Sequence, residues 1–311
     1  MIIGMCGTEF PDVREFLARV LPDAEIVVLD HATARDNNGV DVLVPLGGIV
    51  SADLMDATRP RMIQQFGVGL QGVDMAAAQE RGIPVRNVPA GVSGNAGAVA
   101  EVVLFHLLGL LRRFPEGEQS VRQRLVGEPI GETIEGKTVT VLGTGAIGAR
   151  VIRLLDAFGA VPLGVARGET TDLLPADRYY QAADLNQALA TAHALVVAVP
   201  LTEQTRGMVG AAQFAAMPPG GYLVNVGRGP VVDYQALLDA LKTKHLAGAG
   251  LDVAWAEPID PDDELFRQNV LVTPHIGGVT RESYAMMAAA FAASIAGTLG
   301  GNHGTVQESC S

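Results

Sequence analysis

Lys137-Thr138-Val139-Thr140-Val141-Leu142-Gly143-Thr144-Gly145-Ala146-Ile147-Gly148-Ala149-Arg150 is the stretch that decides the fold. Thr138 to Leu142 is a short β-branched and apolar run, the pattern of a buried parallel strand. Gly143, Gly145 and Gly148 follow at once, and then Ile147, Val151, Ile152, Leu154 and Leu155 recur at helical spacing. The order is strand, tight glycine turn, helix. Gly143 permits the turn, Gly145 lets the backbone approach a pyrophosphate, and Gly148 lets the helix pack close to the strand. A GxGxxG alone is weak in a chain with 37 glycines. With both flanks in place it reads as a dinucleotide-binding turn.

The totals agree with a well-packed protein. At 311 residues, two domains are the expected number. Charged residues make up 18% and hydrophobic ones 48%, which excludes a disordered chain. The net charge of −12, without a Lys/Arg cluster, makes nucleic acid and anionic membrane poor partners. Any attraction for an anionic substrate must therefore come from local cations. Cys6 and Cys310 stand at opposite ends, so neither a disulfide framework nor a zinc site is expected, and no metal. Met1 to Cys6 lacks the basic start and long apolar run of a signal peptide. Ala98 to Leu111 contains Glu101 and His106 and is too short for a bilayer span. A cytoplasmic protein is expected.

Outward from the glycine turn, the chain alternates strand and helix. Strands are expected at Ile2–Cys6, Ile26–Leu29, Val42–Leu46, Met62–Phe66 and Val85–Val88, with helices at Pro11–Val20, Ala52–Ala57 and Met75–Arg81. These make a small parallel α/β domain. Its loops Pro45-Leu46-Gly47-Gly48 and Gly67-Val68-Gly69-Leu70 each follow a strand; they read equally as anion-binding backbone nests or as simple tight turns. Gly94 to Arg113 is an apolar helix, either deeply buried or pressed against another chain. Pro115 to Gly136 is a polar connection. Beyond the glycine turn, strands are expected at Val161–Val165, Ala194–Val199, Tyr222–Val226, Gly248–Val253 and Val270–Thr273, with helices at Leu185–Ala192, Gly210–Met217 and Tyr234–Lys242. That repetition gives a doubly wound parallel sheet. Arg281–Thr298 is an alanine-rich helix, and Gly300–Ser311 a loose tail.

Three spots after strands can do chemistry together. Asn225-Val-Gly-Arg228-Gly-Pro supplies a cation, Leu251-Asp252-Val-Ala-Trp-Ala-Glu257-Pro carboxylates, and Thr273-Pro-His275-Ile-Gly-Gly an imidazole. Taken singly, each is as readily a solvated turn arginine, a surface glutamate or a structural histidine.

Seven segments carry a resemblance. They are Val68-Gly69 with Val73-Asp74, Asn87-Val-Pro, Val99-Ala-Glu101, Gly143-Thr-Gly-Ala-Ile-Gly148, Asn225-Val-Gly-Arg-Gly229, Asp252 with Glu257-Pro258, and Thr273-Pro-His-Ile-Gly-Gly278. In this order they resemble the D-isomer-specific 2-hydroxyacid dehydrogenases, over nearly the whole chain. The resemblance implies an α/β, two-domain fold: a doubly wound parallel (Rossmann) cofactor domain, residues 94–278, inserted in a smaller flavodoxin-like substrate domain, residues 1–93 with 279–311. It implies that the apolar helix belongs to a homodimer interface. It further implies NAD(P)-dependent reduction of a small 2-keto acid to the D-2-hydroxy acid. Arg228 would pair with the substrate carboxylate and polarise the carbonyl. His275 would carry the proton, and Glu257 would favour its protonated form. The implied cofactor contacts are Gly143, Gly145, Ala146, Ile147, Gly148, Arg167, Val199, Pro200, Val226, Gly227, Asp252 and Gly277. The implied substrate contacts are Leu46, Val68, Gly69, Arg228 and His275.

Two departures refine the expectation. Where NAD-specific members carry an acidic residue, this chain has Ala166 followed by Arg167, which favours NADP(H) over NAD(H). The alternative is a solvated turn arginine, with Glu169 or Asp172 on the ribose. Leu46-Gly47-Gly48-Ile49 has no arginine to hold a substrate phosphate, so glyoxylate, hydroxypyruvate or pyruvate fits better. Two competing functions remain open: an NAD(H)-sensing corepressor-like module, disfavoured because only a short tail is available for partners, and a phosphite-type dehydrogenase. Relatives that oxidise formate carry glutamine in place of Glu257, which disfavours that branch.

Overall fold

A computed structural model describes residues 1–29, 39–168 and 173–300. Its backbone divides into two compact units, Met1–Gly94 with Arg281–Ser311, and Asn95–Thr280. The expected tail beyond Gly300, Cys310, Glu169 and Asp172 lie outside the described residues.

The first unit begins with β1 (Ile2–Met5), α1 (Val13–Val20), β2 (Glu25–Val28), β3 (Val42–Val44), α2 (Ala52–Thr58), β4 (Met62–Gln64), α3 (Met75–Glu80) and β5 (Val85–Arg86). All five strands are parallel, in the order β2-β1-β3-β4-β5. The Val-Leu-Val of β3 is wholly buried, as a central parallel strand covered on both faces must be. Ser51 and Asp74 start α2 and α3 by accepting the amides of Leu54 and Ala77. Chain direction across the sheet reverses between β1 and β3, so the loops Cys6–Phe10 and Pro45–Gly48 flank a crevice at the carboxyl edge.

The second unit opens with α4 (Asn95–Leu111) and α5 (Phe114–Arg122). It continues through β6 (Thr138–Leu142), α6 (Ala146–Ala157), β7 (Val161–Ala166), β8 (Tyr179–Gln181), α7 (Leu185–Leu189) and β9 (Ala194–Val197). It ends with α8 (Ala211–Ala216), β10 (Gly221–Asn225), α9 (Tyr234–Lys242), β11 (Leu246–Leu251) and β12 (Val270–Val272). The seven parallel strands run β12-β11-β10-β9-β6-β7-β8. Side chains alternate across this sheet. Val139, Val141, Val196 and Val224 meet α4 and α6 on one face, through Val103, Leu107, Leu110, Val151 and Ile152. Leu195, Val197 and Leu223 meet Leu189, Phe214 and Leu237 on the other. The sheet direction reverses between β6 and β9, which sets the ligand crevice of this unit.

Two elements differ from the sequence reading. The polar connection contains α5, begun by Pro115 at its start. The edge strand β8 is too short and too exposed to leave an apolar run. No single helix among the described residues is long and apolar enough to cross a membrane; α4 and α5 reach that length and apolarity only together, across a 58° bend. Seven apolar residues of α4, Val99 to Leu111, are buried in this unit's core, so much of its apolarity serves packing.

The chain returns to the first unit in α10 (Arg281–Leu299). Tyr284, Met287, Ala288, Phe291 and Ile295 recur at helical spacing and are buried. Tyr284 meets Phe16 and Phe66 edge-on, at centroid distances of 5.4 and 5.5 Å. Ser294 donates to Gln64 Oε1 over 2.6 Å, satisfying a buried amide side chain of β4.

Candidate active site

Every cofactor-binding or catalytic residue that the sequence implies in the second unit follows the carboxyl end of a strand or begins α6. The turn after β6 is tight. Gly143 has φ +99°, and a Cβ there would stand 2.8 Å from the Ala198 carbonyl oxygen, in the loop after β9 that leads to Val199 and Pro200. A Cβ on Gly148 would strike the Gly143 carbonyl oxygen, so only glycine lets α6 start this close to β6. Gly145 caps α6 in extended conformation, with open space where its side chain would be. The amides of Ala146, Ile147 and Gly148 lie in the first helical turn, where no intrahelical acceptor exists, and no acidic residue occupies that turn. These groups fit a dinucleotide pyrophosphate. Arg167 is exposed directly after β7, the strand beside β6.

Beyond β10, Gly227 donates its amide to Asn225 Oδ1 over 3.0 Å, while Asn225 Nδ2 donates to the Arg228 carbonyl. This fully buried asparagine shapes the turn that carries Arg228. The guanidinium donates to the Gly227 carbonyl over 2.7 Å. Burial lowers the Arg228 pKa, opposed by the charges of Glu257 and Asp252.

The loop after β11 delivers Glu257. Its Oε1 accepts the Ala254 amide at 3.2 Å, and its Oε2 stands 2.8 Å from His275 Nδ1. Burial opposes ionisation of Glu257, but His275, the Ala254 amide and Arg228 together hold its carboxyl below the usual range. Trp255 secures the loop by donating to the Val232 carbonyl and packing edge-on against Tyr234.

His275 sits after β12 in left-handed conformation, φ +54°, a costly state for a residue with a side chain. The next two residues hold it there: Ile276 and Gly277 donate their amides to Asp252, to Oδ1 at 3.0 Å and Oδ2 at 2.9 Å. Asp252 is only 2% exposed, and its Oδ1 also accepts the Thr273 hydroxyl at 2.6 Å. Thus the carboxylate expected to reach a cofactor ties down the histidine loop. Arg228, Glu257 and His275 come together, and Val226 is buried in the core of the sheet.

In the first unit, Leu46 is buried with φ +44°, so its side chain fills the core and only its loop's backbone is left to face outward. The Val68 and Gly69 carbonyls accept Asn87 Nδ2 at 2.7 Å and Gln65 Nε2 at 2.8 Å. In a trans peptide the N–H points opposite to the C=O, so these bonds aim the Gly69 and Leu70 amides away from Asn87 and Gln65. Gln65 and Thr273 were not singled out individually in the sequence. Their contacts are single hydrogen bonds to loop groups, which leave no periodic signal.

With this geometry in view, similarity to known proteins is informative. The sequence profile of the D-isomer specific 2-hydroxyacid dehydrogenase, NAD binding domain, matches residues 104–277. D-3-phosphoglycerate dehydrogenase of Escherichia coli is 37% identical over 225 residues, which cover 70% of this chain and 53% of that protein. The chain thus spans about half the length of that relative. A glyoxylate/hydroxypyruvate reductase A of Arabidopsis thaliana is 36% identical over 239 residues, 76% of this chain and 74% of its own. Among solved structures, the NADPH-dependent glyoxylate/hydroxypyruvate reductase of Sinorhizobium meliloti, in complex with NADP and malonate, superposes with a TM-score of 0.79. It is 32% identical, and the match covers 95% of this chain and 93% of that one.

Proposed function

The chain belongs to the D-isomer-specific 2-hydroxyacid dehydrogenase family, and we propose that it reduces a small 2-keto acid to the D-2-hydroxy acid with NADP(H). The observation that carries this reading is the 2.8 Å pair of His275 and Glu257, electrostatically coupled to Arg228.

When bound, the nicotinamide supplies the hydride that adds to C2 of the keto acid. Arg228 pairs with the substrate carboxylate and draws electron density toward the carbonyl oxygen. As the carbonyl electron pair moves onto that oxygen, His275 gives it a proton from Nε2. Glu257 holds the ring through Nδ1 and offsets the imidazolium charge. The amides of Val68 and Gly69 hold the carboxylate, and Asp252 serves the nicotinamide side. In this reading Asn95–Thr280 binds the dinucleotide and Met1–Gly94 with the C-terminal helix binds the substrate.

The crevice loops of the first unit favour a small, uncharged group at C3. Cys6–Phe10 and Pro45–Val50 contain no Lys or Arg, and a Cβ on Gly47 would stand 3.2 Å from the Glu9 carboxyl carbon. A carboxylate there repels phosphate or a second carboxylate. Glyoxylate, hydroxypyruvate and pyruvate meet this condition. Arg167 supports NADP(H), since an exposed guanidinium at that strand end pairs with a 2′-phosphate. Exposed Phe105, Phe114, Val121, Val126 and Ile130 on and after α4 and α5 support a homodimer, with a second copy covering them.

The test is initial rates for glyoxylate, hydroxypyruvate, pyruvate and oxaloacetate, each with NADPH and with NADH. Turnover of the first three with NADPH, and little of oxaloacetate, supports the reading. No turnover of any keto acid overturns it in favour of a dinucleotide-sensing module or, if phosphite reduces NAD(P)+, a phosphite dehydrogenase.

A further inference from the structure

We propose that His106 is a positioning residue for the catalytic histidine, acting through the Thr273 hydroxyl and the Asp252 carboxylate. The inference rests on the reading of His275 as the proton carrier.

His106 lies on α4, wholly buried, beneath the end of the sheet. Gly250 of β11 makes room for it: a Cβ there would stand 2.5 Å from the His106 Cβ. Thr273 Oγ1 is 3.2 Å from His106 Nε2 and 2.6 Å from Asp252 Oδ1. A hydroxyl has one proton, and an ionised carboxylate can only accept. Thr273 therefore donates to Asp252, and His106 Nε2–H donates to Thr273. That assignment sets the tautomer, leaving Nδ1 as a bare lone pair, which has no partner among the described residues. A neutral ring follows, and burial lowers the His106 pKa to about 4.

The consequence is directional. While His106 holds its Nε2 proton toward Thr273, the hydroxyl cannot turn to donate back to it. Asp252 then keeps three donors: Thr273, Ile276 and Gly277. The two amides follow His275 directly and sustain its left-handed backbone. Removing the His106 donor frees the hydroxyl to rotate and loosens the loop.

The charged groups facing Asp252 are His275, after β12, and Arg228, after β10; Glu257, after β11, faces both of these. Burial raises the Asp252 pKa, and the Thr273 hydroxyl is foremost among the groups opposing that rise. Loss of a well-aimed hydroxyl shifts the carboxyl further upward, and a protonated carboxyl accepts the two amides more weakly than an ionised one.

The test compares His106→Leu and Thr273→Val with His106→Gln and Thr273→Ser. Two readouts apply: the pH profile of kcat/KM with glyoxylate, and amide hydrogen exchange across residues 274–278. His106→Leu and Thr273→Val should move the acid limb toward neutral pH by about half a unit and lower kcat about tenfold, the size of one lost hydrogen bond. The KM for NADPH should rise less than kcat falls, because the pyrophosphate turn is untouched and only the nicotinamide end meets the loosened loop. Exchange across 274–278 should quicken. His106→Gln and Thr273→Ser keep a donor and a hydroxyl, and should restore both readouts.

An unmoved acid limb with unchanged exchange in either folded donor-less variant overturns the proposal, as does failure of glutamine or serine to restore them. If His106→Leu does not fold, His106→Phe, a ring of similar size without a donor, decides. If the wild-type chain reduces no keto acid, the functional reading fails, while amide exchange still decides this inference.

Discussion

His275 Nδ1 and Glu257 Oε2 stand 2.8 Å apart, although 18 residues and a change of strand separate them in the chain. Their loops follow β12 and β11, neighbouring parallel strands, so the sheet register brings them together. The ring is fixed at Nδ1 by the carboxylate and at its backbone by Asp252. In the proposed reaction, an imidazole held at both points loses little orientation entropy at each turnover.

The Glu257 carboxyl is held below its ordinary pKa, whereas burial raises that of Asp252. Burial makes Asp252 easier to protonate, and its partners make Glu257 harder, so the acid limb of the rate profile is expected to follow Asp252. Glu257→Gln should lower the plateau of kcat/KM about tenfold or more without moving that limb. A pH–rate profile of the variant checks this; disappearance of the limb would assign it to Glu257 instead.

In the proposed reaction Arg228 binds a carboxylate and polarises a carbonyl at once, which needs the planar fork of a guanidinium. Arg228→Lys keeps the charge and loses the fork. It should lower kcat/KM for the keto acid about tenfold to a hundredfold, through both kcat and KM. Steady-state kinetics with glyoxylate measure the effect.

On the proposed NADP(H) preference, Arg167→Asp replaces the partner of a 2′-phosphate with an acceptor for a 2′-hydroxyl at the end of β7. The ratio of kcat/KM for NADPH over NADH should fall by about tenfold or more. An unchanged ratio would remove Arg167 from the ribose pocket.

Folded His106 takes a proton only near pH 4, against about 6.5 when exposed. Between these values the unfolded chain binds more protons, so stability falls as pH drops from 6.5 toward 4. From pH 7 to pH 5 this linkage removes about 2 kcal/mol. Urea unfolding at both pH values checks it, with His106→Leu expected to lack that part of the loss.

Much of this arrangement was legible from residue order. Thr138–Gly148 signals its strand, turn and helix because the apolar period changes from two to near four across three glycines. Arg228, Glu257 and His275 stand in loops after strands, where parallel sheets present functional groups. Other features left weaker traces. The edge strand Tyr179–Gln181 is three residues long and half-buried, so it carries no alternation. The helix Phe114–Arg122 has a mostly polar surface, with Pro115 as its one local signal. His106 disappears within an apolar helix, because its partner Thr273 lies 167 residues away and only the folded sheet joins them.

The most direct measurement is NADPH consumption with glyoxylate and hydroxypyruvate, run on the wild-type chain and His275→Ala together, with NADPH affinity measured on both. Wild-type turnover should fall about 10²–10⁴-fold in the variant while NADPH still binds equally well. Equal rates in the two proteins would show that the imidazole at 275 does not carry the proton.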